Sequence, residues 1–112
     1  MDLEKALQRL GGDKRLLSDL IGFYLEDYAD LLDEIDRALS AADAEALEKA
    51  SHSLKGLIAN FHDEGSRALA QEIELAAKEN DANRARPMAS QLRTAADALA
   101  RRLADNRIAP SQ

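Results

Sequence analysis

The sequence predicts an all-α fold, an antiparallel up-down four-helix bundle with a short extra helix at its N-terminus. Three observations lead there. Apolar residues recur by threes and fours through most of the 112 residues, the period of an amphipathic helix and not of a strand. Two prolines and five glycines leave little to interrupt long helices. The periodic segments are separated by short polar stretches, which make consecutive helices antiparallel neighbours.

In chain order, Leu3, Ala6, Leu7 and Leu10 give a short helix over about residues 2–10, ended by Gly11-Gly12. Asp13 is placed to cap a long second helix over 14–40, with a core stripe of Leu17, Leu20, Ile21, Tyr24, Tyr28, Leu31, Ile35 and Leu39. Tyr24, Tyr28, Phe23 and Phe61 read as core and not as a ligand box. Ser40-Ala41-Ala42 breaks this helix, and Asp43 caps a third over 44–62. Asp63 or Ser66 caps a fourth over 64–79, whose stripe is Leu69, Ile73 and Ala76. Asn80-Asp81 marks the next turn, and a fifth helix over 82–104 uses Met88, Leu92, Ala95, Leu99 and Leu103. Pro87 conflicts with that last assignment, because inside a helix it deletes a hydrogen bond, whereas at the first position it costs nothing. Either the regular helix starts near Arg86, or it begins after Asp81 and kinks. Residues 106–112 read as a frayed tail. No repeat, low-complexity segment or linker divides the chain, so 1–112 is expected to be one domain.

Composition excludes several classes. The chain has no cysteine, which removes disulfides, thiol catalysis and cysteine-type zinc sites. No apolar run approaches the roughly 20 residues that span a bilayer, and the N-terminus lacks a signal-like apolar segment. A cytoplasmic protein without membrane association is expected. Fifteen Lys and Arg against 21 Asp and Glu give a net charge of −6, unsuited to a nucleic-acid partner. Acid is concentrated from Glu26 to Asp36 and base from Arg84 to Arg107, which reads as two solvated helix faces attracting each other across the bundle.

The most informative stretch is His52-Ser53-Leu54-Lys55-Gly56. At about 100° per residue, Leu47, Ala50, Leu54, Leu57, Ile58 and Phe61 fall in one stripe. His52 points almost directly away from it. Gly56, one turn on, lies beside His52 on the outer face, with Ala59 close by. A helix-interior glycine costs about 1 kcal/mol relative to alanine, and clearing space around an exposed histidine is a reason to keep one. Taken alone, His52 reads as an ordinary surface histidine and Lys55 as a solvated lysine.

The pattern His52-x-Leu54-Lys55-Gly56, followed by Ala59-Asn60-Phe61, resembles the histidine phosphotransfer (HPt) family over roughly Leu3 to Leu103. The resemblance implies a phosphorelay intermediate in which His52 accepts a phosphoryl group from a receiver-domain aspartyl phosphate and passes it to another receiver aspartate. It implies that Lys55 steadies phosphate oxygens as a mobile point charge, and that Gly56 lets a receiver approach closely. Members often have a Glu or Gln bonded to the ring nitrogen that is not phosphorylated. Glu74 fits that place: if the third and fourth helices turn near Asp63, residues equidistant from the turn, such as His52 and Glu74, lie level. The helical wheel puts Glu74 on the polar side of its helix.

The chain departs from the family pattern at Leu57 and Ile58, where small residues are frequent, and at His62, where glycine is common. These departures leave His52 intact and bear on the C-terminal half of its helix. His62 reads as a helix-end residue favoured by the dipole. Ten residues apart, the two histidines cannot share a metal on one helix.

A carrier with no kinase activity of its own is expected, since there is neither a Gly-rich phosphate loop nor a Walker-type lysine motif. No cofactor or metal site of its own is expected, and Mg²⁺ would come with the receiver. The partners implied are receiver domains of response regulators or hybrid histidine kinases. They would dock on apolar residues left exposed on the first two helices, Phe23 foremost, and the chain itself is expected to be monomeric. The alternative is a bundle that binds a receiver or partner helix without transferring phosphate, which the presence of His52 and Lys55 disfavours. A di-metal bundle wants Glu-x-x-His pairs facing inward, and position 49 is Lys.

Overall fold

The computed structural model describes residues 1–106. Five helices account for the described fold: α1 (Leu3–Arg9), α2 (Lys14–Ala41), α3 (Ala44–Ala59), α4 (Glu64–Lys78) and α5 (Ala82–Asp105). An aspartate precedes each one. The side chains of Asp2, Asp13, Asp43 and Asp81 accept from the backbone N–H three residues on, at 3.0 to 3.1 Å, satisfying a donor the helix leaves unpaired. Asp63 is the N-cap residue of α4, but no side chain caps this helix. The Asp63 carboxylate instead accepts from Ser66 Oγ at 2.7 Å and from the Met1 ammonium at 3.3 Å, so neither residue proposed for this cap bonds the helix backbone.

α2 packs on α3 and α5, and α4 packs on the same two, closing the four long helices into a ring. Contacts between α2 and α5 pair rising with falling residue numbers, as antiparallel helices must. The Tyr24 hydroxyl donates to the Ala96 carbonyl at 2.8 Å, and Arg86 donates to the Leu39 carbonyl at 3.1 Å. Between them, Arg93 reaches both Asp33 at 3.0 Å and Asp36 at 2.9 Å, the contact expected between acidic and basic helix faces. α1 lies where α3 turns into α4, with the Asp2 N–H donating to the Phe61 carbonyl at 2.9 Å.

The core centres on Tyr24, Phe61, Ile35, Leu54, Ile58, Ile73, Leu92 and Leu99, all fully buried. Tyr24 meets Phe61 edge to face at 5.7 Å and stacks on Tyr28 at 5.0 Å. Burial pushes the Tyr24 phenol well above its ordinary range. The expected stripes shift in detail. On α2, Leu32 is buried, whereas Leu17, Leu20, Tyr28 and Leu31 are only partly covered. On α4 and α5 the interior is built largely of Ala70, Ala76, Ala77, Ala85, Ala89, Ala96 and Ala100, while Leu69, Met88 and Ala95 sit at its edge. Alanines let helix axes approach closely, so the inward face is set by the neighbouring helix as well as by hydrophobicity.

Two helix ends differ from the sequence reading. α3 stops at Ala59 instead of 62, because Phe61 and His62 donate three residues back, to Ile58 and Ala59, in a tightened turn. His62 then takes a left-handed φ of +52°. α5 starts at Ala82, as the second of the two possibilities has it, and runs through Pro87, leaving the Asn83 carbonyl without the N–H that a residue at 87 would donate. The expected tail lies, from residue 107 on, outside the described residues. Among the described residues no helix is long and apolar enough to cross a membrane.

Candidate functional site

The site is set by the rotation of α3. Ser51 faces inward, fully buried, and its hydroxyl donates to the Leu47 carbonyl at 2.7 Å. One residue on, a helical step of about 100° carries His52 out to the surface, where its side chain is 66% exposed. Leu54 and Ile58 anchor the same helix in the core. The imidazole therefore stands on a rigid support.

His52 Nδ1 lies 2.9 Å from Glu74 Oε2, and Lys55 Nζ lies 2.7 Å from the other carboxylate oxygen, Oε1. Three of the four residues singled out thus meet across the seam between α3 and α4. The level pairing of 52 with 74 about the Asp63 turn is observed. Glu74 makes the edge contact that its place on the helical wheel allows and is not a solvated glutamate: its side chain is only 7% exposed, because Lys55 and His52 close over it from α3. A wheel drawn for one helix takes no account of the helix beside it.

Burial pushes the Glu74 carboxyl upward, but the hydrogen bonds from Lys55 and His52, with their charges, outweigh it and leave the group below its ordinary value. An ionised carboxylate only accepts, so the imidazole nitrogen facing it must carry the proton. That assigns the Nδ1–H tautomer from the hydrogen-bond geometry. In the neutral imidazole that tautomer leaves the lone pair on Nε2.

Lys78 also belongs to this cluster, its Nζ 3.7 Å from Glu74 Oε2. The sequence reading missed it, although a lysine four residues after a glutamate on a helix is a recognisable pair. Gly56 is exposed, and a Cβ placed there would meet nothing within 4 Å. It is not needed for close helix packing, which leaves the bare surface beside His52 as its consequence. A groove between α2 and α3 reaches this point, lined by Asp27, Asp30, Leu31, Glu34, Gly56 and Leu57. Farther along α2, the reading of Phe23 as core is corrected: next to inward-facing Tyr24 on the helix, it turns outward and is 53% exposed.

Of the departures from the family pattern, Ile58 and His62 fall away from this face, whereas Leu57 lines the groove beside Gly56. Ile58 is fully buried and Leu57 partly so. His62 sits in the turn after α3 with Nε2 3.4 Å from an Arg9 guanidinium nitrogen, and it does not join the site. Its left-handed backbone is the conformation that glycine adopts most readily, which accounts for glycine being common there. Among the described residues no group of three or more His, Cys, Asp or Glu side chains is arranged to hold a metal ion.

Fold and site together define a helical bundle that presents one exposed histidine, oriented by a buried, ion-paired carboxylate. The family model for the Hpt domain matches residues 19–102, and the chain belongs to that family. Hpt domains serve histidine phosphotransfer in the phosphorelays of two-component signalling. No curated protein and no solved structure matches the chain.

Proposed function

We propose that this protein is a phosphorelay intermediate in which His52 Nε2 is the phosphoacceptor. The observation that carries the reading is the 2.9 Å contact of Nδ1 with the Glu74 carboxylate, which keeps the proton on Nδ1 and the lone pair on Nε2. In the step proposed, Nε2 attacks the phosphorus of a receiver aspartyl phosphate. The N–P bond forms as the acyl P–O bond breaks, and the electron pair leaves with the aspartate carboxylate. The ring becomes cationic, and Glu74 stabilises that charge through the Nδ1–H it already holds, so no proton has to move. Transfer to a second receiver is the same step reversed. Lys55 keeps Glu74 ionised, and Gly56 leaves room for the receiver. The receiver supplies the Mg²⁺ that neutralises the phosphoryl oxygens.

The test is transfer from a phosphorylated receiver domain. The wild-type chain is expected to acquire an acid-labile phosphoryl group, and His52→Gln to acquire none while melting within about 0.5 kcal/mol of wild type, as exposed positions do. His62→Gln is expected to transfer normally. A folded His52→Gln chain that still accepts phosphate overturns the assignment. A wild-type chain that binds the receiver without accepting phosphate makes it an adaptor instead.

A further inference from the structure

We propose that Lys78 is the residue that holds the phosphoryl group on His52, while Lys55 remains with Glu74. This rests on His52 being the phosphoacceptor. The two lysines hold the same carboxylate in different ways. Lys55 is three-quarters covered and makes a direct hydrogen bond to Oε1 at 2.7 Å. Removing it would leave a nearly buried anion without its closest partner, so its ammonium is committed. Lys78 is 52% exposed and stands 3.7 Å from Oε2, beyond hydrogen-bond distance, at an oxygen already bonded by His52 Nδ1–H. It is held by charge alone. Lys49, the remaining lysine within a turn of His52, lies 3.5 Å from Glu45 instead.

One carboxylate faces two ammoniums, so the resting site carries one positive charge more than it neutralises. A phosphoryl group on Nε2 brings about two negative charges and three acceptor oxygens. Lys78 lies beside the oxygen bonded to Nδ1. A rotation of its flexible four-carbon stem carries its three donors around the small imidazole ring to an oxygen on Nε2. The exchange breaks no hydrogen bond, since none holds it to Glu74, and leaves the Glu74 contacts with His52 and Lys55 in place. Moving Lys55 would break one of them.

Potassium phosphoramidate, a small phosphoryl donor, tests this without a partner protein. The Nε2–P bond forms as the donor's P–N bond breaks and ammonia departs. Nitrogen NMR of the lysine ammoniums in the full chain is expected to show the Lys78 signal shifting and its protons exchanging more slowly once His52 is phosphorylated, with Lys55 unmoved. Lys78→Gln is expected to slow charging about tenfold, the scale of one charge-assisted hydrogen bond. Lys78→Arg should restore most of the rate, with melting unchanged in both variants. An unmoved Lys78 signal, movement of Lys55 or Lys49 in its place, or wild-type charging of Lys78→Gln each overturns the proposal. A wild-type chain that takes no phosphoryl group on His52 overturns the phosphoacceptor reading itself, and this proposal with it.

Discussion

In the proposed relay a single carboxylate decides which His52 ring nitrogen is nucleophilic, and Lys55 decides how that carboxylate is presented. Glu74→Gln separates the two effects. Lys55 demands an oxygen at its 2.7 Å contact, which turns the new amide NH₂ toward His52 Nδ1 and moves the ring proton to Nε2. Transfer is expected to fall tenfold or more, about the loss of one general electrostatic contact, and nitrogen NMR of His52 should show the reversed tautomer. The same variant reports on stability. The Glu74 carboxyl is lowered in the folded state, so its ionised form favours folding. That contribution is present above its ordinary value of 4.5 and is lost as pH falls through the lower folded value. The melting difference between wild type and Glu74→Gln, about 1–3 kcal/mol at neutral pH, should therefore shrink below pH 4.5. A difference independent of pH would mean that the carboxylate is not held by charge. His52, Lys55 and the level of Glu74 were legible in the sequence, because motif spacing and a count from the turn fix them. The burial of Glu74 was not, since it depends on side chains arriving from α3.

Helix by helix, the clearest tests lie where local propensity and observed geometry disagree. Gly56 sits in the last turn of α3 with open space around it, so Gly56→Gln should gain helix propensity of at most about 1 kcal/mol. The same side chain beside His52 obstructs a receiver, so transfer from a phosphorylated receiver should slow while the melting temperature rises. Faster melting, or an unchanged transfer rate, would show that the bare surface is not what Gly56 supplies. Pro87 is exposed, yet it deletes the hydrogen bond to the Asn83 carbonyl inside α5. Pro87→Ala should stabilise the chain by about 1–2 kcal/mol, reduced from the full helix-interior cost because proline also restricts the unfolded chain. A thermal melt checks this directly. The aspartate caps Asp13 and Asp43 made the starts of α2 and α3 readable. The end of α3 was misjudged because apolar Phe61 continues the stripe, although it enters the core from a turn and not from the helix.

In the proposed relay the whole bundle acts as a stand that holds one face of α2 and α3 toward the receiver. Phe23 is an exposed aromatic on that side of the molecule, on the same helix as the groove that reaches Gly56. Phe23→Ala should slow transfer from a receiver severalfold while leaving phosphoramidate charging of His52 and the melting temperature unchanged, since exposed positions shift stability by about 0.5 kcal/mol or less. Loss of both reactions would place its effect in the fold and not in docking. The period of apolar residues determined an all-α chain with five helices, and the His52 motif determined the family, because both are written along single helices. The tertiary structure alone decided that alanines line the α4–α5 interior, that the Glu74 carboxylate is buried, and that Lys78 joins it. Each of these depends on what the adjacent antiparallel helix brings within a few ångströms, a distance that sequence separation does not encode.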